Sequence, residues 1–395
     1  MTLPHSRSRV LLSFPFRLFF LLTGIYGAII IPVWLGLFLA GWSLPVGPMP
    51  MQWHSHEVLY GLVPAAIAGF VLTAVCNWTG AAPLQGSKLL ILGLVWLAGR
   101  VVIWNASYLP NLLVAVVDLL FLPVLAAYLF VVLQRHGNKR NFILVAVISV
   151  LFIGNLCMHM GYAEGSLLLL RTGKIIALDV IALIMVIIAG RIIPAFSNNW
   201  LRLNRPDSSG AKTSSPIEYL ALTSTLLMLP ADLFVKSPEI AGAITLTAFL
   251  SNAIRLAGWA GWKTLPEPLL WILHLGYSWL VLALLLKAMS AFGLPTASAW
   301  QHALGTGAMA TLILGVMTRV VLGHTGRPLK LPRFATLIYA AISVAAVFRL
   351  LTALSVMDYQ LGLVIAGVAW TLAFALFVLI YWPLLSQPRV DGRPG

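Results

Sequence analysis

Four histidines lie in, or at the mouth of, long apolar segments, where imidazoles are unusual. They are His54, His56, His159 and His302. Ionisable side chains inside a membrane are costly and mark functional sites, and imidazole is the commonest metal ligand. Glu57 follows His56 directly, so its carboxylate could accept the second N–H of a ligating imidazole or relay protons. Together these five residues predict a metal or haem centre with Glu57 as its catalytic carboxylate. For any one of the histidines alone, capping a helix at the interface is the alternative.

The composition indicates what kind of fold must position these side chains. The chain has 395 residues, of which 60% are hydrophobic and 9% charged, whereas an ordinary soluble domain is about 25% charged. No soluble core could bury this much apolar surface, so we predict an all-α polytopic membrane protein with about twelve transmembrane helices. The predicted spans are roughly 15–42, 55–78, 87–104, 110–134, 141–162, 172–196, 216–235, 238–258, 267–291, 298–320, 333–355 and 360–384.

We interpret residues 1–395 as a single membrane domain. Six helices fall in 1–197, a polar cytoplasmic linker in 198–215, and six more helices in 216–395. We find no internal sequence repeat to support pseudo-symmetry between the halves.

The distribution of basic residues sets the orientation. The formal net charge is +14, and most Lys and Arg fall in alternate loops, which predicts that both termini are cytoplasmic. This charge is typical of loops that face anionic lipid, so nucleic acid is not an expected partner. The two cysteines are in or near apolar segments, which argues against a disulfide framework.

With this orientation, spans two and ten begin outside and span five runs outward, so all four histidines are predicted on the outer side. His54 and His56 would point ~200° apart on a regular helix. Either they serve different faces, or the helix begins after them. His324 is ~33 Å along a helix from His302, which places it on the cytoplasmic side and excludes it from the same centre.

Further residues could support such a centre. Arg100 and Arg171, near outer helix ends, could bind haem propionates, or they could extend to the interface. The sulfur atoms of Cys157, Met158 and Met160 flank His159 and would suit Cu(I), although such residues are also ordinary apolar filler. On the cytoplasmic side, the segments Gly323–Gly326 and Arg191–Pro194 could form a second polar site for a quinol headgroup.

At these motifs the sequence resembles the NnrS family of bacterial membrane proteins. The resemblance extends over both halves of the chain, and no single motif carries it alone. The matching segments are Trp53–Glu57, Gly69–Ala74, Asn77–Gly80, Gly190–Pro194, His302–Met309 and Thr318–Pro328.

The resemblance implies a multi-pass bacterial inner-membrane protein that contains haem b and copper. It also implies a role in the nitric oxide response, in denitrification or in defence against nitrosative stress. A broader similarity to haem–copper oxidases is architectural, because the adjacent histidine pair that ligates copper in those enzymes is absent. We therefore expect a protein that acts on nitric oxide and that, in its enzymatic form, reduces it to nitrous oxide with electrons from membrane quinol. A non-enzymatic nitric oxide sensor or scavenger, and a secondary transporter, are the alternatives.

Overall fold

Twelve long helices form the protein, as the sequence predicts. The computed structural model describes residues 7–47 and 49–393, and within these residues it contains no strand. Each of the twelve helices is long and apolar enough to cross a membrane. We number them α1 to α12 in chain order: Pro15–Phe38, Pro50–Thr79, Gly86–Trp104, Asn111–Arg135, Lys139–Glu164, Leu167–Asn204, Ser215–Phe234, Pro238–Gly258, Pro268–Ala291, Ala297–His324, Thr336–Ala353 and Tyr359–Ser386.

Local sequence signals explain several helix boundaries. Proline occupies the first turn of α1, α2, α8 and α9, at Pro15, Pro50, Pro238 and Pro268. The first-turn N–H groups have no partner within the helix, so proline is tolerated there and its fixed φ favours the helical conformation. At the other end of α2, Gly80 adopts a left-handed φ of 73°, which glycine allows without steric cost.

The helices divide into two compact units. The first comprises the described residues of Met1–Ala177, Met317–Leu329 and Phe374–Gly395, and the second comprises Leu178–Val316 and Lys330–Ala373. In the first unit α1 packs on α2, and α4 packs on both α3 and α5. In the second unit α7 packs on α8, α8 on α9, and α9 on α10. Helix α6 continues to Asn204, so its last turns lie within the predicted 198–215 linker.

The buried fraction of each helix distinguishes the interior helices from those with an exposed apolar surface. The most apolar stretch of α2 is 83% buried, whereas that of α7 is only 28% buried. The exposed side chains of α7 include Leu226, Leu227 and Phe234, as expected of a surface that faces hydrocarbon chains. Helix α2, which carries His54 and His56, is therefore an interior helix of the first unit.

Two helices contain a π-helical segment that begins directly after a histidine. In α2 the segment Glu57–Leu62 follows His56, and in α10 the segment Ala303–Met309 follows His302. π-Helical turns are rare and occur frequently at functional sites, because the extra residue in the turn redirects neighbouring side chains. Both segments therefore begin directly after a histidine that the sequence also predicts to be functional.

The same two helices end alike. A Thr-Gly pair lies at the C-terminal end of each helix. Its glycine is 24 positions beyond the histidine that precedes the π-helical segment: Gly80 lies beyond His56, and Gly326 lies beyond His302. The φ angles of these glycines are 73° and 72°. The two helices thus share a local pattern of histidine, π-helical turn and left-handed glycine.

Candidate metal site

The first unit brings together two of the predicted histidines and one aspartate. His56 lies on α2, Asp118 on α4 and His159 on α5, and all three are buried. Oδ2 of Asp118 is 2.8 Å from Nε2 of His159 and 3.2 Å from Nε2 of His56. One ligand atom from each of the three residues lies within 4.8 Å of the other two. This cluster could hold a metal ion.

Glu57 lies behind His56, on the side away from Asp118. Its Oε1 is 3.0 Å from Nδ1 of His56, which is the contact expected of a carboxylate that orients a ligating imidazole. Tyr26 donates a hydrogen bond to Oε2 of Glu57, and Nε1 of Trp104 donates to the same oxygen at 3.1 Å. Glu57 is thus fixed by α1, α2 and α3 together.

Arg100 joins the two carboxylates. Its Nη1 donates to Oε1 of Glu57 and its Nη2 donates to Oδ1 of Asp118. With both carboxyls ionised and both imidazoles neutral, one guanidinium faces two negative charges. In that protonation state the buried cluster would carry one net negative charge, and burying an unbalanced charge is costly. An additional cation, either a proton or a metal ion, would offset that cost.

Both ring nitrogens of His56 face oxygen acceptors. Nδ1 faces Glu57, while Nε2 lies 2.9 Å from Oδ1 of Asn155 and close to Asp118. Asn155 in turn donates from Nδ2 to Oδ2 of Asp118 at 2.8 Å. A neutral imidazole has one N–H, so it can satisfy only one of these two sides. The other side requires a further proton, on the ring or on the facing carboxyl, or, on the Nε2 side, a metal ion between His56 and Asp118.

The spacing of the donor atoms suits a single ion. Metal bonds to imidazole nitrogen and carboxylate oxygen are about 2.0–2.2 Å long, which separates neighbouring ligand atoms by about 3–3.5 Å. The separations of 2.8 and 3.2 Å around Oδ2 of Asp118 are close to that range. Small shifts of these side chains would therefore be enough to admit an ion.

A cavity of about 340 Å³ leads to this cluster. His56 and His159 form part of its wall, and the rest comes mainly from the loops before α2 and between α3 and α4, which are the loops predicted outside. The other lining residues are Val46, Gly47, Met49, Trp53, Ile103, Ala106, Ser107, Leu109, Asn111, Val114 and Tyr162. A small uncharged molecule could reach the imidazoles by this route.

The chain matches the NnrS protein family over residues 10–389. It belongs to the NnrS family. The match covers nearly all of the 395 residues, so it includes both units and every histidine of the candidate site. No curated protein matches the chain. Membership of the NnrS family supports a role connected to the nitric oxide response.

The remaining predicted ligands of this NnrS family member lie elsewhere. The half-buried His54 stacks on Trp34, with ring centroids 4.3 Å apart, so His54 and His56 serve different faces of α2. His302 belongs to the second unit, where Nε2 accepts a hydrogen bond from Arg349. Of the four histidines, the structure brings His56 and His159 together.

The two predicted propionate-binding arginines differ sharply in environment. Arg171 is exposed near the start of α6. Arg100 is buried, and both of its terminal nitrogens donate to carboxylates of the cluster. Arg100 is therefore already engaged in balancing charge within the candidate metal site.

Three important members of the site were missed by sequence reasoning. Asp118 interrupts the apolar run of α4, and a carboxylate in such a run is itself a functional signal. Asn155 precedes His159 by one helical turn, so the two share a face of α5. Tyr26 stands in the apolar α1 without a distinguishing local pattern, and only the fold places it beside Glu57.

The Gly323–Gly326 motif receives a structural explanation. The C-terminal tail docks on it: Nη1 of Arg389 donates to the His324 carbonyl at 2.8 Å, and the Val390 N–H donates to the Thr325 carbonyl at 3.2 Å. Arg389 also pairs with Asp391. A hydrogen bond from that guanidinium holds the pKa of the Asp391 carboxyl well below its usual range. The quinol site predicted near this motif stays a prediction.

Proposed function

We propose that this protein binds a redox-active transition metal ion, iron or copper, at His56, Asp118 and His159. Nitric oxide would reach the ion through the cavity that opens beside these imidazoles. The observation that carries the proposal is the environment of His56, whose two nitrogens both face oxygen acceptors inside a cluster where one guanidinium meets two carboxyl groups. A metal ion on the Nε2 side would satisfy the geometry and the charge together.

The three donor groups limit which of the cofactors implied by the family resemblance could bind at this cluster. Two imidazoles and one carboxylate suit a mononuclear iron centre, and imidazole also suits copper. A haem on either imidazole would require Nε2 to leave Asp118, so the cluster favours a single ion over haem b. Binding of haem b elsewhere stays a prediction from the resemblance, as does location in the bacterial inner membrane.

The surrounding residues have separate roles in this proposal. Glu57 orients His56 and can hold a proton close to the site, and Arg100 balances the two carboxylates. When bound, the ion supplies the redox chemistry that nitric oxide requires. Reduction of two nitric oxide molecules to nitrous oxide and water consumes two protons and two electrons. Glu57 lies where it could pass protons to His56, and membrane quinol would supply the electrons.

The test is a set of single variants in the full-length protein. His56→Ala, His159→Ala and Asp118→Asn should each lose most of the bound metal, measured by elemental analysis of purified protein. His136→Ala is the control, because His136 is exposed after α4 and should keep its metal. Full metal content in all three cluster variants would contradict the proposal.

The wild-type protein can then show whether nitric oxide is turned over enzymatically or only bound. Purified protein is supplied with excess reductant and nitric oxide. Continued formation of nitrous oxide would support a reductase, whereas uptake of nitric oxide that stops near one molecule per metal would support a sensor or scavenger.

One observation favours a secondary transporter as the second candidate. In the second unit Lys287 is buried and pairs with Asp179 and Asp232, and buried ion groups of this kind occur along proton and ion pathways. Proteoliposomes with an imposed proton gradient would test this function. Proton flux that is abolished in Asp179→Asn would support transport, and flux equal to that of empty liposomes would oppose it.

A further inference from the structure

Arg349 is a buried cation in the second unit whose environment differs from that of Arg100, Arg255 and Lys287. It lies on α11, one turn before the helix ends at Ala353, and it is 8% exposed. Arg100, Arg255 and Lys287 are also buried, and each pairs with at least one carboxylate. Within residues 7–47 and 49–393, Arg349 makes no ion pair with a carboxylate.

The hydrogen-bond partner of Arg349 is uncharged. Nη2 of Arg349 donates to Nε2 of His302 at 2.6 Å. Nδ1 of His302 donates to the Ser298 carbonyl at 2.7 Å, so Nδ1 carries the proton and Nε2 accepts. His302 is therefore a neutral imidazole, and it leaves the charge of Arg349 unbalanced.

One donor of Arg349 also has no partner. Nη1 is buried and makes no hydrogen bond within the described part of the chain. A buried charge without a counter-charge is strongly unfavourable, and an unsatisfied buried N–H adds to that cost. Arg17 shows how another buried guanidinium reduces this cost, because its Nη1 donates to three carbonyl oxygens near the end of α12.

We propose that Arg349 and His302 form a binding site for a small planar monovalent anion, either a carboxylate or an oxyanion such as nitrite. One negative charge would balance the guanidinium. The planar guanidinium fork matches two oxygens of such an anion, with Nη1 as the donor already available. The π-helical turn after His302 leaves open space, because a Cβ at Gly305 would meet no heavy atom within 4 Å.

This site is separate from the proposed metal site. Arg349 and His302 lie in the second unit, whereas His56, Asp118 and His159 lie in the first. The anion site also gives His302 a role other than metal ligation, since the Nε2 that a metal would need accepts from Arg349. Failure of one proposal therefore leaves the other standing.

The test uses full-length protein in lipid nanodiscs, with formate as the probe and nitrite as a second planar anion. Thermal unfolding is followed by tryptophan fluorescence at constant ionic strength, set with methanesulfonate. Because a ligand that binds the native state raises the unfolding temperature in a saturable way, formate should do so, and chloride should be less effective. Calorimetric titration should give one formate per chain.

Variants connect the effect to Arg349. Arg349→Gln should weaken formate binding by about tenfold or more, since it removes a charge-assisted hydrogen bond. Arg349→Lys keeps the charge but not the planar fork, so it should lose the preference for formate over chloride. Arg171→Gln, at an exposed arginine, should bind formate as the wild type does.

Two results would overturn the proposal. One is a formate effect in the wild type no larger than that of chloride. The other is a formate affinity in Arg349→Gln equal to that of the wild type. If Arg349→Gln does not fold, Arg349→Lys decides, because an unchanged formate preference in that variant would also contradict recognition by the fork.

Discussion

Oε1 of Glu57 lies 3.0 Å from Nδ1 of His56, although the two residues are adjacent in the chain. Neighbouring residues on a regular α-helix point about 100° apart, so such a contact is unexpected. A π-helical segment begins at Glu57, and the wider turn accompanies this contact between carboxylate and imidazole. The local distortion of α2 thus coincides with the contact through which Glu57 can orient the candidate ligand His56.

Glu57→Gln should weaken metal binding without abolishing it. The amide can no longer offer a charged acceptor to Nδ1 of His56, and loss of such an orienting partner lowers metal affinity by about tenfold to 100-fold. Competition titration with a chelator measures the affinity. Glu164→Gln, at an exposed glutamate near the end of α5, is the control. Equal affinities in the two variants would show that Glu57 does not orient a ligand.

Arg100→Gln should destabilise the protein strongly. The variant leaves the buried carboxylates of Glu57 and Asp118 without their shared guanidinium, and breaking a buried ion pair in this way costs about 3–5 kcal/mol in the free energy of unfolding. Thermal unfolding in detergent gives the comparison with the wild type. A second change, Asp118→Asn, should recover part of the lost stability. If the losses in stability from Arg100→Gln and Asp118→Asn simply added in the double variant, this would contradict charge balance between Arg100 and Asp118.

Gly61→Ala should disturb the same ion pair through sterics alone. A Cβ at Gly61 would lie 2.5 Å from Nη1 of Arg100 and 3.1 Å from a ring carbon of Tyr26. Overpacking of this kind costs about 1–3 kcal/mol and should also lower metal affinity. Gly305→Ala is a matched control, since Gly305 also lies in a π-helical segment but faces open space. Unfolding temperature and metal content that are the same in both variants would contradict this account.

Gly326→Ala should release the C-terminal tail. Both Gly326 and Gly80 have left-handed φ angles, so alanine costs about 1–2 kcal/mol of backbone strain at either position. At Gly326, however, the new Cβ would lie 2.7 Å from Cγ of Asp391, whereas at Gly80 it would meet nothing within 4 Å. Limited proteolysis should therefore cut the tail faster in Gly326→Ala than in Gly80→Ala. Equal rates would mean that this contact does not hold the tail.

Hydropathy and turn chemistry were enough to predict the twelve helices. Each predicted span overlaps one observed helix, including α7 and α8, which are separated by a short break at residues 235–237. The boundaries were less accurate at α6, which continues into the predicted linker, since its polar C-terminal turns carry no apolar signal. The π-helical segments could not be predicted, because no simple periodicity distinguishes them from α-helix.

The candidate site was predicted only in part. His56, His159 and Glu57 were selected because ionisable groups are rare in apolar segments. Asp118 meets the same criterion, but its partners lie on other helices, and the charge balance with Arg100 becomes apparent only in the fold. Sequence spacing could say that His54 and His56 point apart, but not which of them faces His159.

X-ray absorption at the metal edge tests the central claim most directly, with wild-type protein compared with His159→Ala. Our account predicts one ion per chain whose ligand shell contains two imidazole nitrogens and carboxylate oxygen at about 2.0–2.2 Å, with one imidazole lost in the variant. A wild-type spectrum without two imidazole ligands, or a ligand shell unchanged in His159→Ala, would contradict it.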